Sequence, residues 1–170
     1  MSHDLWQRAA ALSARAHRHQ RRKDGSTPYA SHPFRVAMTI SLIFGFDDPE
    51  ILAGALLHDT IEDCDLDYDD ILEQFGRNAA DFVAVMSKDM RLEEEIREVA
   101  YDQQLAEGPW QGRLIKLADV YDNLSDASGG TKDAMLVRAE RILALTGGDE
   151  ELSGARAALT ALMGRLGVDA

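Results

Sequence analysis

Apolar residues recur three and four positions apart along nearly the whole chain, and strand-like alternation is nowhere sustained, which predicts an all-α fold. A first helix is predicted over residues 4 to 20. It ends at "RKDGSTP", where Gly25 and Pro28 break the periodicity and leave a loop of about ten residues. Pro33 opens a second helix through about Phe44, and "GFDDPE" supplies Asp48 as N-cap and Pro49 as first helical residue of a third. That third helix runs from the apolar stretch Ile51 to Leu57 straight into the polar "HDTIED". "DLDYDDILEQFG" reads as a short capped helix stopped by Gly76, and "RNAADFVAVMS" as the next. The segment from Arg91 to Glu107 is strongly charged, and its narrow apolar stripe of Leu92, Ile96, Val99 and Ala100 predicts a solvent-facing helix. "RLIKLADVYDNL" follows as an apolar helix between the breakers "EGPWQG" and "SGGTKD", and two amphipathic helices close the chain over 131–146 and 149–166. The expectation is a single domain over residues 1–170, a compact helical bundle of roughly eight to ten helices.

Composition narrows the class. Hydrophobic residues make up 45% of the 170 and charged residues 28%, and the longest apolar runs fall far short of a membrane span, so a membrane role is not expected. The first residues carry no apolar core followed by a cleavage site, and the single cysteine, Cys64, has no internal partner; a reducing cytoplasm is the expected location. The net charge of -12 argues against a nucleic-acid binder, which needs a cationic face. Its distribution is uneven. Residues 1–35 hold seven Lys or Arg against two acids, whereas residues 47–107 hold nineteen acids against four bases. The basic stretch is either a solvated helix face or a receptor for a small anion.

The polar end of the third helix carries the candidate chemistry. In a continuous helix His58 and Glu62 share one face, as do Asp59 and Asp63, at the end of a run that wants burial. Several carboxylates buried together require a compensating cation, so "HDTIED" is either one part of a metal site or an exposed acidic helix end. "SHPFRVA" adds His32 at a helix start. "KLADVYDNL" adds Asp119 in an apolar context, with Asn123 one turn later. Two imidazoles and two carboxylates form a mixed shell suited to Mn²⁺, Fe²⁺, Zn²⁺ or Mg²⁺, and such a cation makes water a nucleophile near neutral pH.

The ordered set His32, His58-Asp59 and Asp119 resembles the HD superfamily of metal-dependent phosphohydrolases. "AHRHQRRKDGSTPYASHPFRVA", "ALLHDTIED" and "KLADVYDNL" occur in the order of three blocks of the (p)ppGpp hydrolase domain of RelA/SpoT proteins, and the length is similar to that of small alarmone hydrolases of the metazoan SpoT homologue type. The match covers residues 5–127. This resemblance implies one Mn²⁺ held by His32, His58, Asp59 and Asp119, and a catalytic pair, Glu62 and Asp63, that positions and deprotonates water. It places Arg22, Lys23 and Asn123 beside the nucleotide, with Arg18 in the same basic patch. Tyr29 either packs against the nucleotide or staples the loop, and His17 is expected to be a structural hydrogen-bond partner. Ser87-Lys88, in "VMSKDM", falls where the family has a Thr-Lys-like stretch and is a candidate ligand contact.

Two departures bear on the substrate. His19 stands where the pattern has glycine, and Asp122 puts a negative charge where a phosphate-rich substrate is expected to pass. Three readings follow: a hydrolase removing the 3′-pyrophosphate of (p)ppGpp, an HD phosphohydrolase acting on another nucleotide such as NADPH or a nucleoside phosphate, and a non-catalytic module that binds alarmone. The intact Glu62-Asp63 pair weighs against the last. No stretch resembles a nucleotide synthetase, and nothing in the sequence assigns an oligomeric state.

Overall fold

A computed structural model describes residues 4–127 and 129–167. Among them are ten α-helices: α1 (Leu5–Ala16), α2 (Ser31–Met38), α3 (Pro49–Leu57), α4 (Thr60–Asp63), α5 (Tyr68–Phe75), α6 (Arg77–Met86), α7 (Glu94–Glu107), α8 (Trp110–Ser125), α9 (Lys132–Leu145) and α10 (Ser153–Gly167). No strand occurs among the described residues; the one extended pairing is an isolated bridge between Arg21 and Pro28. The all-α expectation holds. No helix there is long and apolar enough to cross a membrane.

The bundle is organised around α3 and α8. Helix α3 packs on α1, α2, α6 and α8, and α8 in turn touches α2, α6, α7, α9 and α10. Asp48 caps α3 by accepting from the amides of Glu50 and Ile51, and Pro49 occupies its first turn, as the sequence predicts. Six of the nine α3 residues are buried, so this helix is a core element rather than an amphipathic one. At α6, Val85 projects into a notch made by Gly108 and Gly112, where the chain passes from α7 to α8. A Cβ added at Gly108 would lie 2.4 Å from Val85 Cγ2, and one at Gly112 would lie 2.2 Å from Val85 Cγ1. Space, not backbone conformation, requires glycine at both positions.

Four boundaries or faces differ from the sequence expectation, each for a local reason. Helix α1 stops at Ala16, not residue 20, because His17 turns the chain; its Nδ1 meets Gln20 Oε1 at 2.6 Å and the Gln20 amide donates to the His17 carbonyl at 3.0 Å. Helix α2 begins at Ser31, two residues before Pro33, and continues as a π-helical stretch, Thr39–Phe44, ended by Gly45 at φ +80°. The third helix does not continue through "HDTIED": it ends at Leu57. Asp59, at φ -96° and ψ -1°, separates it from the single turn α4. There His58 Nδ1 donates to the Ala55 carbonyl (2.8 Å) and Thr60 Oγ1 to that of Leu57 (2.6 Å), so side chains take acceptors that a continuing helix would use.

The fourth difference concerns α7, whose buried residues are Tyr101 and Leu105, whereas Ile96 and Val99 are exposed at 59% and 69%. The expected stripe is the wrong face. Glu98 and Asp102 share the inner side with Tyr101 because basic residues of other segments meet them there: Lys88 and Arg141 pair with Glu98, and Arg141 with Asp102.

Candidate active site

The break between α3 and α4, the start of α2 and the middle of α8 converge. One donor atom each from His32, His58 and Asp59 lie within 4.8 Å of one another. Asp119 joins them, its Oδ1 3.2 Å from His32 Nε2 and 4.0 Å from His58 Nε2. Both imidazoles are buried and oriented by their Nδ1 atoms. His58 donates to the Ala55 carbonyl, and His32 donates to Asp122 Oδ2 at 2.7 Å. Each Nε2 is therefore left facing the carboxylates of Asp59 and Asp119.

His58 Nε2 is the decisive atom. It is fully buried and accepts or donates no hydrogen bond among the described residues, although Asp59 Oδ1 lies 3.1 Å away in a direction unsuited to one. A buried lone pair beside two carboxylates fits a divalent cation: imidazole nitrogen and carboxylate oxygen are the donors such ions take, and a cation removes both the orphaned acceptor and the charge repulsion.

Without a cation, the charges compensate within the protein. Burial opposes charge on both rings, but hydrogen bonds to Asp119 and Asp122 raise the His32 pKa to about 9, and the neighbouring Asp59 raises that of His58. Burial likewise opposes charge on the acids. His58 nevertheless holds Asp59 down at about 2, and Lys116, with Nζ 2.9 Å from Asp119 Oδ2, helps hold Asp119 well below the usual carboxylate range.

The pair Glu62 and Asp63 stands at the rim of this cluster, exposed on α4. The Tyr29 hydroxyl donates to Asp59 Oδ2 at 2.7 Å and lies 3.4 Å from Asp63 Oδ2, linking the two acids. Burial and the nearby charge of Asp59 push the Asp63 carboxyl upward, and the same two causes, in that order, push the Tyr29 phenol up so that it stays a donor. Glu62 is held on its far side, where Oε2 accepts the Lys88 amide at 2.9 Å.

The basic loop reaches the cluster through Arg22. Gly25, at φ +72°, turns the loop, and the Arg22 amide donates to the Thr27 carbonyl across it. The Arg22 guanidinium donates to Asn123 Oδ1 and Asp126 Oδ2, each at 3.1 Å, and lies over the Tyr29 ring. Asn123 Nδ2 in turn donates to Asp119 Oδ1 at 2.5 Å. Asn123 separates two clefts. One is lined by Lys88, Lys116, Arg138 and Arg141 together with Glu98, Asp102 and Asp119; the other is lined by Arg22, Lys23 and Arg35 together with Asp24 and Asp126.

The structure thus brings together His32, His58, Asp59, Asp119, Asp63, Tyr29, Asn123 and Arg22, with Glu62 and Lys23 at the margins. Arg18 does not join them: it is exposed at the end of α1, and its Nη1 donates to the Arg15 carbonyl. Asp122 is also elsewhere than expected. It is 4% exposed, turned to His32 and Arg35, and lines neither of these clefts, so it does not confront a passing phosphate. His17 is the structural partner expected of it, buried against Gln20, Cys64 and the Tyr29 ring. Sequence reasoning missed Lys116, Arg138 and Arg141. Of these, Lys116 alone had a local signal, three residues before Asp119 on the same helix.

A model of the HD domain family matches residues 9–141. The chain belongs to the HD domain family. Guanosine-3′,5′-bis(diphosphate) 3′-pyrophosphohydrolase MESH1 of Drosophila melanogaster is 37% identical to this HD domain over 116 residues, 68% of this chain and 65% of that protein. The Homo sapiens protein of the same name is 37% identical over 126 residues, 74% of this chain and 70% of that protein. The chain therefore matches about two thirds of the length of these relatives. A solved structure, described as a metazoan ortholog of SpoT that hydrolyzes ppGpp and plays a role in starvation responses, superposes with a TM-score of 0.83 at 27% identity, covering 96% of each chain.

Proposed function

We propose that this HD domain removes the 3′-pyrophosphate from (p)ppGpp, giving GDP or GTP and pyrophosphate and ending the stringent-response signal. The cation is Mn²⁺, one per chain, the ligands are His32, His58, Asp59 and Asp119, and the protein works in the cytoplasm. One observation carries the reading: the bare, buried Nε2 of His58 faces carboxylates whose far edge, Asp119, is joined through Asn123 to the loop arginine Arg22. Metal chemistry and anion recognition are thereby contiguous, as cleavage of a nucleotide diphosphate requires. The names of the relatives support the substrate.

A divalent cation in that shell supplies Lewis acidity and makes water a nucleophile at neutral pH. The remaining work belongs to the protein. Arg22 and Lys23 hold the anionic nucleotide, and Asn123 sits between them and the metal ligands. Asp63, connected to Asp59 through the Tyr29 hydroxyl, and Glu62, anchored by the Lys88 amide, take the proton that water loses. Water's oxygen joins the phosphorus next to the ribose, the bond from that phosphorus to the ribose 3′ oxygen breaks, and the 3′ oxygen leaves with a proton.

With Asp122 turned away from both clefts and His19 exposed and outside them, neither departure favours a different nucleotide. The test is an assay of purified protein with Mn²⁺ against ppGpp, other nucleoside phosphates and NADPH. Pyrophosphate release from ppGpp above all others is the expected result. None from ppGpp refutes the substrate, and turnover of another nucleotide instead leaves the hydrolase class standing.

A further inference from the structure

One of the two positions that depart from the family pattern has a specific task. We propose that Asp122 is a positioning residue that sets the His32 ring for metal binding, an inference that rests on reading His32 as a ligand. Asp122 is buried on α8, and its Oδ2 lies 2.7 Å from His32 Nδ1. A carboxylate oxygen only accepts, so Nδ1 keeps its proton, and Nε2, the nitrogen that would lose its proton to take a cation, faces between Asp59 Oδ2, at 3.6 Å, and Asp119 Oδ1, at 3.2 Å.

The carboxylate is itself fixed. Arg35, one turn after His32 on α2, donates from Nε to Asp122 Oδ1 at 2.7 Å and from Nη2 to Oδ2 at 3.0 Å, a two-pronged grip that locks its plane. The two imidazoles are thus oriented by unlike devices. His58 leans on the neutral Ala55 carbonyl, whereas His32 leans on a charged carboxylate, which makes its Nε2 the more basic donor. A carboxylate behind a metal-facing imidazole contributes about 10- to 100-fold in metal affinity.

The same contacts also clip α2 to α8, so the test separates positioning from clipping. Mn²⁺ is titrated calorimetrically into chelator-stripped protein, and the melting temperature of the stripped protein is measured, for the parent, Asp122→Asn and Arg35→Gln. Both substitutions loosen the clip, and both are expected to lower the metal-free melting temperature. Mn²⁺ affinity is expected to fall about 10- to 100-fold in Asp122→Asn and by clearly less in Arg35→Gln, which frees the plane of the carboxylate but leaves it on His32. If Asp122→Asn alone does not fold, the double variant, which removes both partners of the ion pair, carries the same expected loss. Unchanged affinity without the Asp122 carboxylate, or equal losses in the two single variants, overturns the positioning role. A parent that takes up no Mn²⁺ overturns the metal reading itself, and this inference with it.

Discussion

Gly112→Ala is a substitution for which helix propensity and packing give opposite signs. Gly112 lies in the first turns of α8 with ordinary helical backbone, so alanine gains about 1 kcal/mol of helix propensity. The new Cβ, however, would sit 2.2 Å from Val85 Cγ1, and non-bonded carbons want about 3.5–4.0 Å. Val85 is buried and β-branched, so its χ1 offers little escape, and α8 must shift away from α6. Such overpacking costs about 1–3 kcal/mol, and a separation this short belongs at the upper end. The net expectation is a loss of about 2 kcal/mol, a fall of about 4–8 °C in melting temperature for a chain of this size. Urea unfolding of the parent, Gly112→Ala, Val85→Ala and the double variant reads it. With the Val85 methyls removed the clash is gone, so Gly112→Ala should become stabilising by about 1 kcal/mol, a coupling of about 3 kcal/mol across the cycle. If Gly112→Ala stabilises the parent as propensity alone dictates, the notch is not what requires glycine there. Because α8 carries Lys116, Asp119, Asp122 and Asn123, the shifted helix should also weaken Mn²⁺ binding in the single variant and recover it in the double one.

Mn²⁺ at one hundred times its dissociation constant should stabilise the folded protein by about 2.7 kcal/mol, about 5–11 °C in a thermal scan, and a chelator should abolish the gain. In His58→Gln the increment should be absent; an increment of parental size there would remove His58 from the shell. Glu62→Gln and Asp63→Asn should each lower kcat about 10²- to 10⁴-fold while calorimetric Mn²⁺ affinity stays near the parent's, and turnover at the parental rate in the pair together would dismiss their role as proton acceptors. Arg113 joins Asp149 through two hydrogen bonds and donates to the carbonyls of Leu105, Ala106 and Gly108, so Arg113→Met should cost about 3 kcal/mol. The hydrogen bonds from Arg113 lower the Asp149 pKa below its ordinary 3.8, so the contribution is present above that pH and is lost as pH falls through the folded value. The stability gap between parent and variant should therefore narrow below about pH 4, and a gap independent of pH would count against the pair.

What was legible in the sequence is what lies in short segments. The ligand set could be read because His32, His58-Asp59 and Asp119 each sit in a distinctive local context, and the caps at Asp48 and Gly76 because capping is a matter of a few adjacent residues. The break after Leu57 was not legible, since it depends on His58 and Thr60 turning back on their own helix's carbonyls. Asp122 was misplaced for a non-local reason. Its charge is answered by Arg35, 87 residues earlier, and no reading of "DVYDN" contains that partner. The inner face of α7 was missed in the same way: Glu98 and Asp102 look solvated until Lys88 and Arg141 are brought against them, and a rule that puts apolar residues inside then selects Ile96 and Val99 instead. Arg138 and Arg141 reach the cleft because α9 packs on α8, which leaves no mark near either arginine.

The engagement of Arg22 has a consequence for how firmly any anion is held. Both of its contacts, to Asn123 Oδ1 and Asp126 Oδ2, leave from Nη2, so they do not use the Nε and Nη1 protons, and an arriving phosphate can add hydrogen bonds to a side chain already held in place. Part of the rotamer freedom that a long, mobile side chain loses on binding is lost here before the ligand arrives, so less of the new contact energy goes into ordering the arginine.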